Sequence, residues 1–155
     1  MAKHSFELFA DYFQFYLADE KWHGDLSDAW TDDAVAQLLA VAHGVVGVGT
    51  ARNMDVPVEV EVVDHAPIDD LLGWDRVNEC TLEVPSGQIV IAGCTDYWPD
   101  ATRIPVTQGT YRARVYYGEL DSVSEDGMDG ADHYRIALWP APAVLPFAVV
   151  APRVT

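Results

Sequence analysis

The chain has 155 residues, 50% of them hydrophobic, and carries 25 Asp and Glu against 9 Lys and Arg, a formal charge of −16. That length and apolar fraction suffice for one domain with a real core, and no apolar run approaches the roughly 18 residues that a membrane-spanning helix needs. The charge repels phosphate backbones and anionic membrane surfaces, so nucleic acid and membrane are both poor partners, whereas a basic protein or cations would be attracted. Acidity that merely keeps the protein soluble is the competing explanation.

Short alternating segments separated by turn residues dominate the sequence, the pattern of antiparallel sheets. The aromatic-rich stretch Tyr12 to Ala18 reads as a first strand. A polar loop follows, with six acids between Asp19 and Asp33. Thr31 is a suitable N-cap, Asp32 and Asp33 favour the positive end of a helix, and Val35, Leu38, Leu39 and Ala42 share helical spacing. The expectation is one short helix closed by Gly44.

From there the sequence predicts β-structure almost to its end. Val45 to Ala51 is a glycine-bearing strand. Val56 to Val63 alternates, with Val58, Val60 and Val62 on one side and Glu59 and Glu61 on the other, and Pro57 puts its start at an edge or a bend. Around Ser86-Gly87 a hairpin is expected, pairing Val84 with Ile89 and Leu82 with Ile91. Cys80 then opposes Gly93 while Cys94 falls on the other face, so the two thiols stay unbonded. Thr110 to Gly118 and His133 to Trp139 are two more strands. The tail from Pro140 is too rich in proline for a central strand and is expected to wrap an edge. Together these elements predict a mainly β fold, an antiparallel β-sandwich with one short α-helix, as a single domain over residues 1–155.

The N-terminus shows no secretion signal, and two cysteines make no disulfide framework, so a reducing cytoplasmic setting is expected. No catalytic motif is present: the five histidines lack metal-ligand spacing, and no nucleophile elbow, P-loop or dinucleotide fingerprint appears. A non-enzymatic protein without cofactor is the expectation.

Two segments stand out as partner-binding candidates. Between Glu119 and Asp132 lie six carboxylates and no Lys or Arg, including Asp121, Glu125 and the triplet Asp126, Asp129 and Asp132. Oxygen ligands on a glycine-containing loop suit calcium, but the EF-hand spacing is absent, and a solvated turn or a docking loop for a basic protein fits the same residues. In the second segment, Tyr97 and Trp98 sit on a turn flanked by Asp96 and Asp100. Such aromatics anchor partners or fold inward, the latter more natural for Trp98. Arg52 and Arg103, rare cations here, are expected to pair with carboxylates inside the fold.

DYFQFYLAD, WTDDAV, GTARN, EVPSGQIVIAGCTDYWPDA and the ending GTYRARVYY…DGMDGADHYRIALWPAP resemble, in order and spacing, the bacterial competence protein J family, over roughly Tyr12 to Pro142. The most specific portion is Tyr12-x-Gln14-Phe15, then Trp30-Thr31-Asp32-x-Ala34, then Ala51-Arg52-Asn53. Named members inhibit the nuclease through which DNA enters the cell. The resemblance implies an acidic binding protein that blocks a basic substrate groove. The alternative reading is a calcium- or small-ligand-binding β-sandwich.

Overall fold

A computed structural model describes residues 2–68 and 71–151. Eleven strands and one α-helix follow in chain order: β1 (Ala2–Phe9), β2 (Gln14–Asp19), α1 (Asp32–Gln37), β3 (Leu39–Ala42), β4 (Val45–Gly49), β5 (Asp55–Val62), β6 (Arg76–Val84), β7 (Gln88–Gly93), β8 (Thr102–Pro105), β9 (Gly109–Gly118), β10 (His133–Pro140) and β11 (Ala148–Ala151). They form two sheets, β1-β5-β10-β9-β6-β11 and β3-β4-β2-β7-β8. Each strand sends alternate side chains to the space between the sheets. Phe15 and Leu17, Val46 and Val48, and Ile89 and Ile91 meet Val58 and Val60, Val115, Ile136 and Leu138 there, all buried. Every such side chain contributes about 1.5–3 kcal/mol by leaving water.

The mainly β sandwich with one short helix is as expected, with one departure from a purely antiparallel plan. β5 pairs antiparallel with β1 on one edge and parallel with β10 on the other. Pro57 therefore lies in an interior strand. It pairs with Glu7 of β1 and precedes Val58, where the register with β10 begins.

Three local expectations are corrected. Tyr12 and Phe13 are not in a strand, since both take left-handed backbone angles before β2 begins. The helix stops at Gln37, not at Gly44: Leu38 turns left-handed at its C-cap, and Leu39–Ala42 becomes β3, paired with β4. Strand pairing outweighs helical spacing there, and Gly44, with φ 77°, instead serves the β3–β4 turn. Finally, β6 and β7 do not form a hairpin. β6 pairs with β9 and β11, and β7 with β2 and β8, so Ser86-Gly87 is an arch that carries the chain from one sheet to the other. Asp19 anchors that arch, its Oδ1 accepting from the Ser86 amide (3.0 Å) and hydroxyl (2.6 Å).

Cys80 faces Ala113 rather than Gly93, and both cysteines are free thiols. The described part of the proline-rich tail reaches β11 on the edge of the larger sheet, as expected of an edge segment. The Arg112 guanidinium holds its approach, donating to the carbonyls of Leu145 and Pro146.

Candidate protein-docking site

The Tyr12-Phe13 corner is created by two consecutive residues that lack glycine's freedom yet have φ of 58° and 60°. Each left-handed residue costs about 1–2 kcal/mol. Backbone hydrogen bonds maintain the corner: the Phe13 amide donates to the Ala10 carbonyl (3.1 Å), and the Phe13 carbonyl accepts from the Thr50 amide (2.9 Å). Opposite stands α1, started by the Thr31 hydroxyl, which accepts from the Ala34 amide at 3.2 Å. It ends at Leu38, φ 61°, whose carbonyl accepts from the Gly49 amide (2.9 Å) and the Tyr117 hydroxyl (2.6 Å). Two consecutive residues at the end of β4, Gly49 and Thr50, thus grip both walls.

Between those walls lies an open groove of about 610 Å³, lined chiefly by Tyr12, Phe13, Trp30, Val35 and Leu38. Tyr12 is 70% exposed, Val35 57% and Phe13 45%. Large apolar side chains left this open against one cavity mark a contact surface more readily than scattered ones do. A second hollow of about 420 Å³ shares Gln14, Ser27 and Trp30 with the first and runs on to Trp22, Asp25 and Cys94.

The acidic loop adjoins the corner through Gly127, where a side chain would meet the Phe13 ring at 3.1 Å and where φ is 73°. Within it, the Asp126 carboxylate accepts from the Ser124 hydroxyl (2.6 Å) and the Met128 amide (3.0 Å). These two bonds, the hydroxyl's foremost, hold the Asp126 pKa below the usual carboxylate value, so its charge persists. The Ser124 amide closes the loop by donating to the Asp129 carbonyl at 2.7 Å. Asp121, Glu125, Asp126 and Asp129 are all exposed.

Asp132 is the exception among the expected docking residues. It is fully buried, with its Oδ1 2.8 Å from Arg52 Nε and its Oδ2 accepting from the Tyr134 hydroxyl at 2.5 Å. The triplet spacing had grouped it with Asp126 and Asp129, but its place at the mouth of β10 turns it inward. Arg52 therefore pairs inside the fold, as expected, and Arg103 pairs with Glu20 at 3.0 Å. With Asp132 withdrawn, calcium loses a ligand, and among the described residues no three His, Cys, Asp or Glu side chains are grouped to hold a metal ion.

Tyr97 and Trp98 lie on the β7–β8 connection, in the other sheet from the β9–β10 connection that carries the acids. Tyr97 is 70% exposed. Trp98 is half-buried, stacked on Tyr16 with ring centres 6.0 Å apart and tilted against Trp22 at 6.2 Å. The groove residues Tyr12, Phe13, Trp30, Val35 and Leu38 were not foreseen. Their only sequence signal is that several fall within the segments of family resemblance.

The fold is a small two-sheet β-sandwich of the ComJ-like type, and it carries an acid-bordered apolar groove. ComJ of Bacillus subtilis, an inhibitor of the DNA-degrading activity of NucA, superposes with a TM-score of 0.67 at 16% identity, covering 91% of this chain and 96% of that one. The protein of crocagin biosynthetic gene J matches with a TM-score of 0.61 at 21% identity, covering 90% of this chain and 99% of that one. No protein-family model and no curated protein matches the sequence.

Proposed function

We propose that the chain is a non-enzymatic inhibitor-type protein that binds a nuclease and occludes its basic substrate groove. One observation carries the reading: a chain of net charge −16 has the fold of ComJ, a nuclease inhibitor, over 91% of its length. A nuclease must attract phosphates, so its substrate groove is positive, and an acidic surface competes for it. Asp121, Glu125, Asp126 and Asp129, exposed carboxylates of the β9–β10 loop, are assigned to that contact, with Tyr97 as an aromatic anchor outside it. The free thiols Cys80 and Cys94 support action in the cytoplasm.

The test measures DNA degradation by purified basic nucleases, NucA-type enzymes first, with increasing amounts of the protein. Stoichiometric inhibition is expected, weakened at least tenfold when Asp121, Asp126 and Asp129 become Asn and Glu125 becomes Gln. Unchanged inhibition by that variant overturns the loop assignment. Full nuclease activity at a large excess of the protein overturns the inhibitor role.

A further inference from the structure

We infer that the groove between the Tyr12-Phe13 corner and α1 seats a large hydrophobic side chain borne on a Lys- or Arg-rich segment of a partner protein. This rests on the reading of the chain as a binding protein and supplies what an acidic loop alone does not, a pocket that decides which basic surface is held.

The lining is apolar and open, and at about 610 Å³ it has the size of sites that take a compact organic group. It is also preformed. All four non-glycine residues with positive φ among those described belong to this region: Tyr12, Phe13 and Leu38 shape the groove, and Glu119 opens the acidic loop. Backbone held in such angles by its surroundings keeps a site in shape before its ligand arrives. Trp30 forms part of the wall, and its indole N–H is buried without an acceptor among the described residues.

Charge selects the occupant. No Lys or Arg occurs from Trp22 to Ala51 or from Glu119 to Ala131, the stretches that carry the α1 wall and the acidic loop. Asp28, Asp32 and Asp33 lie exposed on the helical side, and Glu125, Asp126 and Asp129 on the loop packed beyond Phe13. Of the cations beyond those stretches, Arg52 is committed to Asp132, and Arg76 reaches α1 to donate to the Ala36 carbonyl at 3.3 Å, one positive group against six exposed acids. A hydrophobic group flanked by cations gains from both the lining and the border. An acidic peptide or a nucleic acid meets net repulsion at that border. A buried hydrophobic anchor surrounded by a charged rim is the arrangement in which few residues carry most of the affinity.

Three synthetic hexapeptides test the inference by amide chemical-shift mapping on the full chain: Phe-Leu flanked by two lysines on each side, the same with Ala-Ala, and the first with Glu for Lys. The Lys-flanked Phe-Leu peptide should shift the amides of Tyr12 to Gln14 and of Val35 to Leu38, and the Trp30 indole N–H. The Ala peptide should bind at least about tenfold more weakly, as the loss of an anchor predicts, and the Glu peptide should leave the spectrum unchanged. Val35→Lys, at an exposed position of α1, should abolish the difference between the first two peptides while the thermal melt stays the same. Equal affinity for the Phe-Leu and Ala peptides, or shifts confined to Asp121 to Ala131, would overturn the groove assignment. A nuclease inhibited by a protein that fails this test sinks the groove and spares the inhibitor. Peptide binding without inhibition of any nuclease does the reverse.

Discussion

Asp126 and Asp132 are six residues apart on one loop and differ in what each carboxylate does for the molecule. Asp126 organises its own turn and keeps its charge in water. Asp132, fully buried, joins the GTARN segment to the start of β10 through Arg52 and Tyr134, whose hydroxyl also accepts from the Ala51 amide at 2.8 Å. Arg52→Ala leaves that carboxylate buried without its cation, which should cost about 3–5 kcal/mol in urea unfolding. A loss under about 1 kcal/mol, the range of exposed pairs, would show that the pair is solvated in practice. Cys80 gives a second residue-scale prediction. Burial pushes its thiol from 9.0 up to about 12. Above about pH 9 the unfolded chain releases this proton while the native state retains it, so stability falls as pH rises from about 9 to about 12. Below that window both states are protonated and the group adds no pH dependence. Cys80→Val should therefore flatten the alkaline decline by up to about 1.4 kcal/mol per pH unit, measured by urea unfolding between about pH 9 and 11. Identical slopes would assign the decline to Tyr117 and Tyr134, whose hydroxyls burial also shifts upward.

At the level of elements, strands with strong alternation were legible. β5, β9 and β10 lie within a residue of their expected limits, because β-branched and aromatic residues at period two suit only a pleated surface. Pairing was not legible where the sequence left it free. The Ser86-Gly87 turn marks a reversal but does not say which edges are filled, and both β6 and β7 find better partners in opposite sheets. The overlong helix has a related cause. Val35, Leu38, Leu39 and Ala42 match a helical face, yet only Leu39 is fully buried and Val35 is 57% exposed, since the chain changes from helix to strand between them. The groove escaped notice because nothing in a tyrosine or phenylalanine announces positive φ. Gly47 hints at the packing only in retrospect. A side chain there would come within 2.6 Å of Leu26 and 2.9 Å of Trp30, so its absence lets the segment before α1 lie flat on the smaller sheet. Of the expected site, the exposed acids were readable as charges, whereas the inward turn of Asp132 depended on Arg52, 80 residues away in the chain.

On the scale of the whole molecule, positive charge is concentrated where it is neutralised. Lys3, Arg112, Arg114 and Arg135 lie on the outer face of the larger sheet, against Glu59, Glu61 and Glu79 at 2.8–3.9 Å. At the groove end of the smaller sheet, the exposed acids of α1 and of the acidic loop outnumber the one cation seen to reach α1, Arg76. The molecule therefore presents one compensated face and one negative end, a distribution that orients an approaching basic protein before contact. Long-range attraction and close packing should then separate kinetically. Raising ionic strength from about 20 to about 200 mM shortens the Debye length several-fold and should slow association with a basic nuclease by about tenfold or more, leaving dissociation nearly unchanged. Neutralising Asp121, Glu125, Asp126 and Asp129 should lower the association rate and flatten this salt dependence. Val35→Gln, which disturbs the groove without altering the charge, should act mainly by speeding dissociation. Stopped-flow association and competition-driven dissociation measure the two rates. If the loop variant changes only the dissociation rate, its carboxylates act by direct pairing in the complex, and the steering account of the −16 charge is wrong.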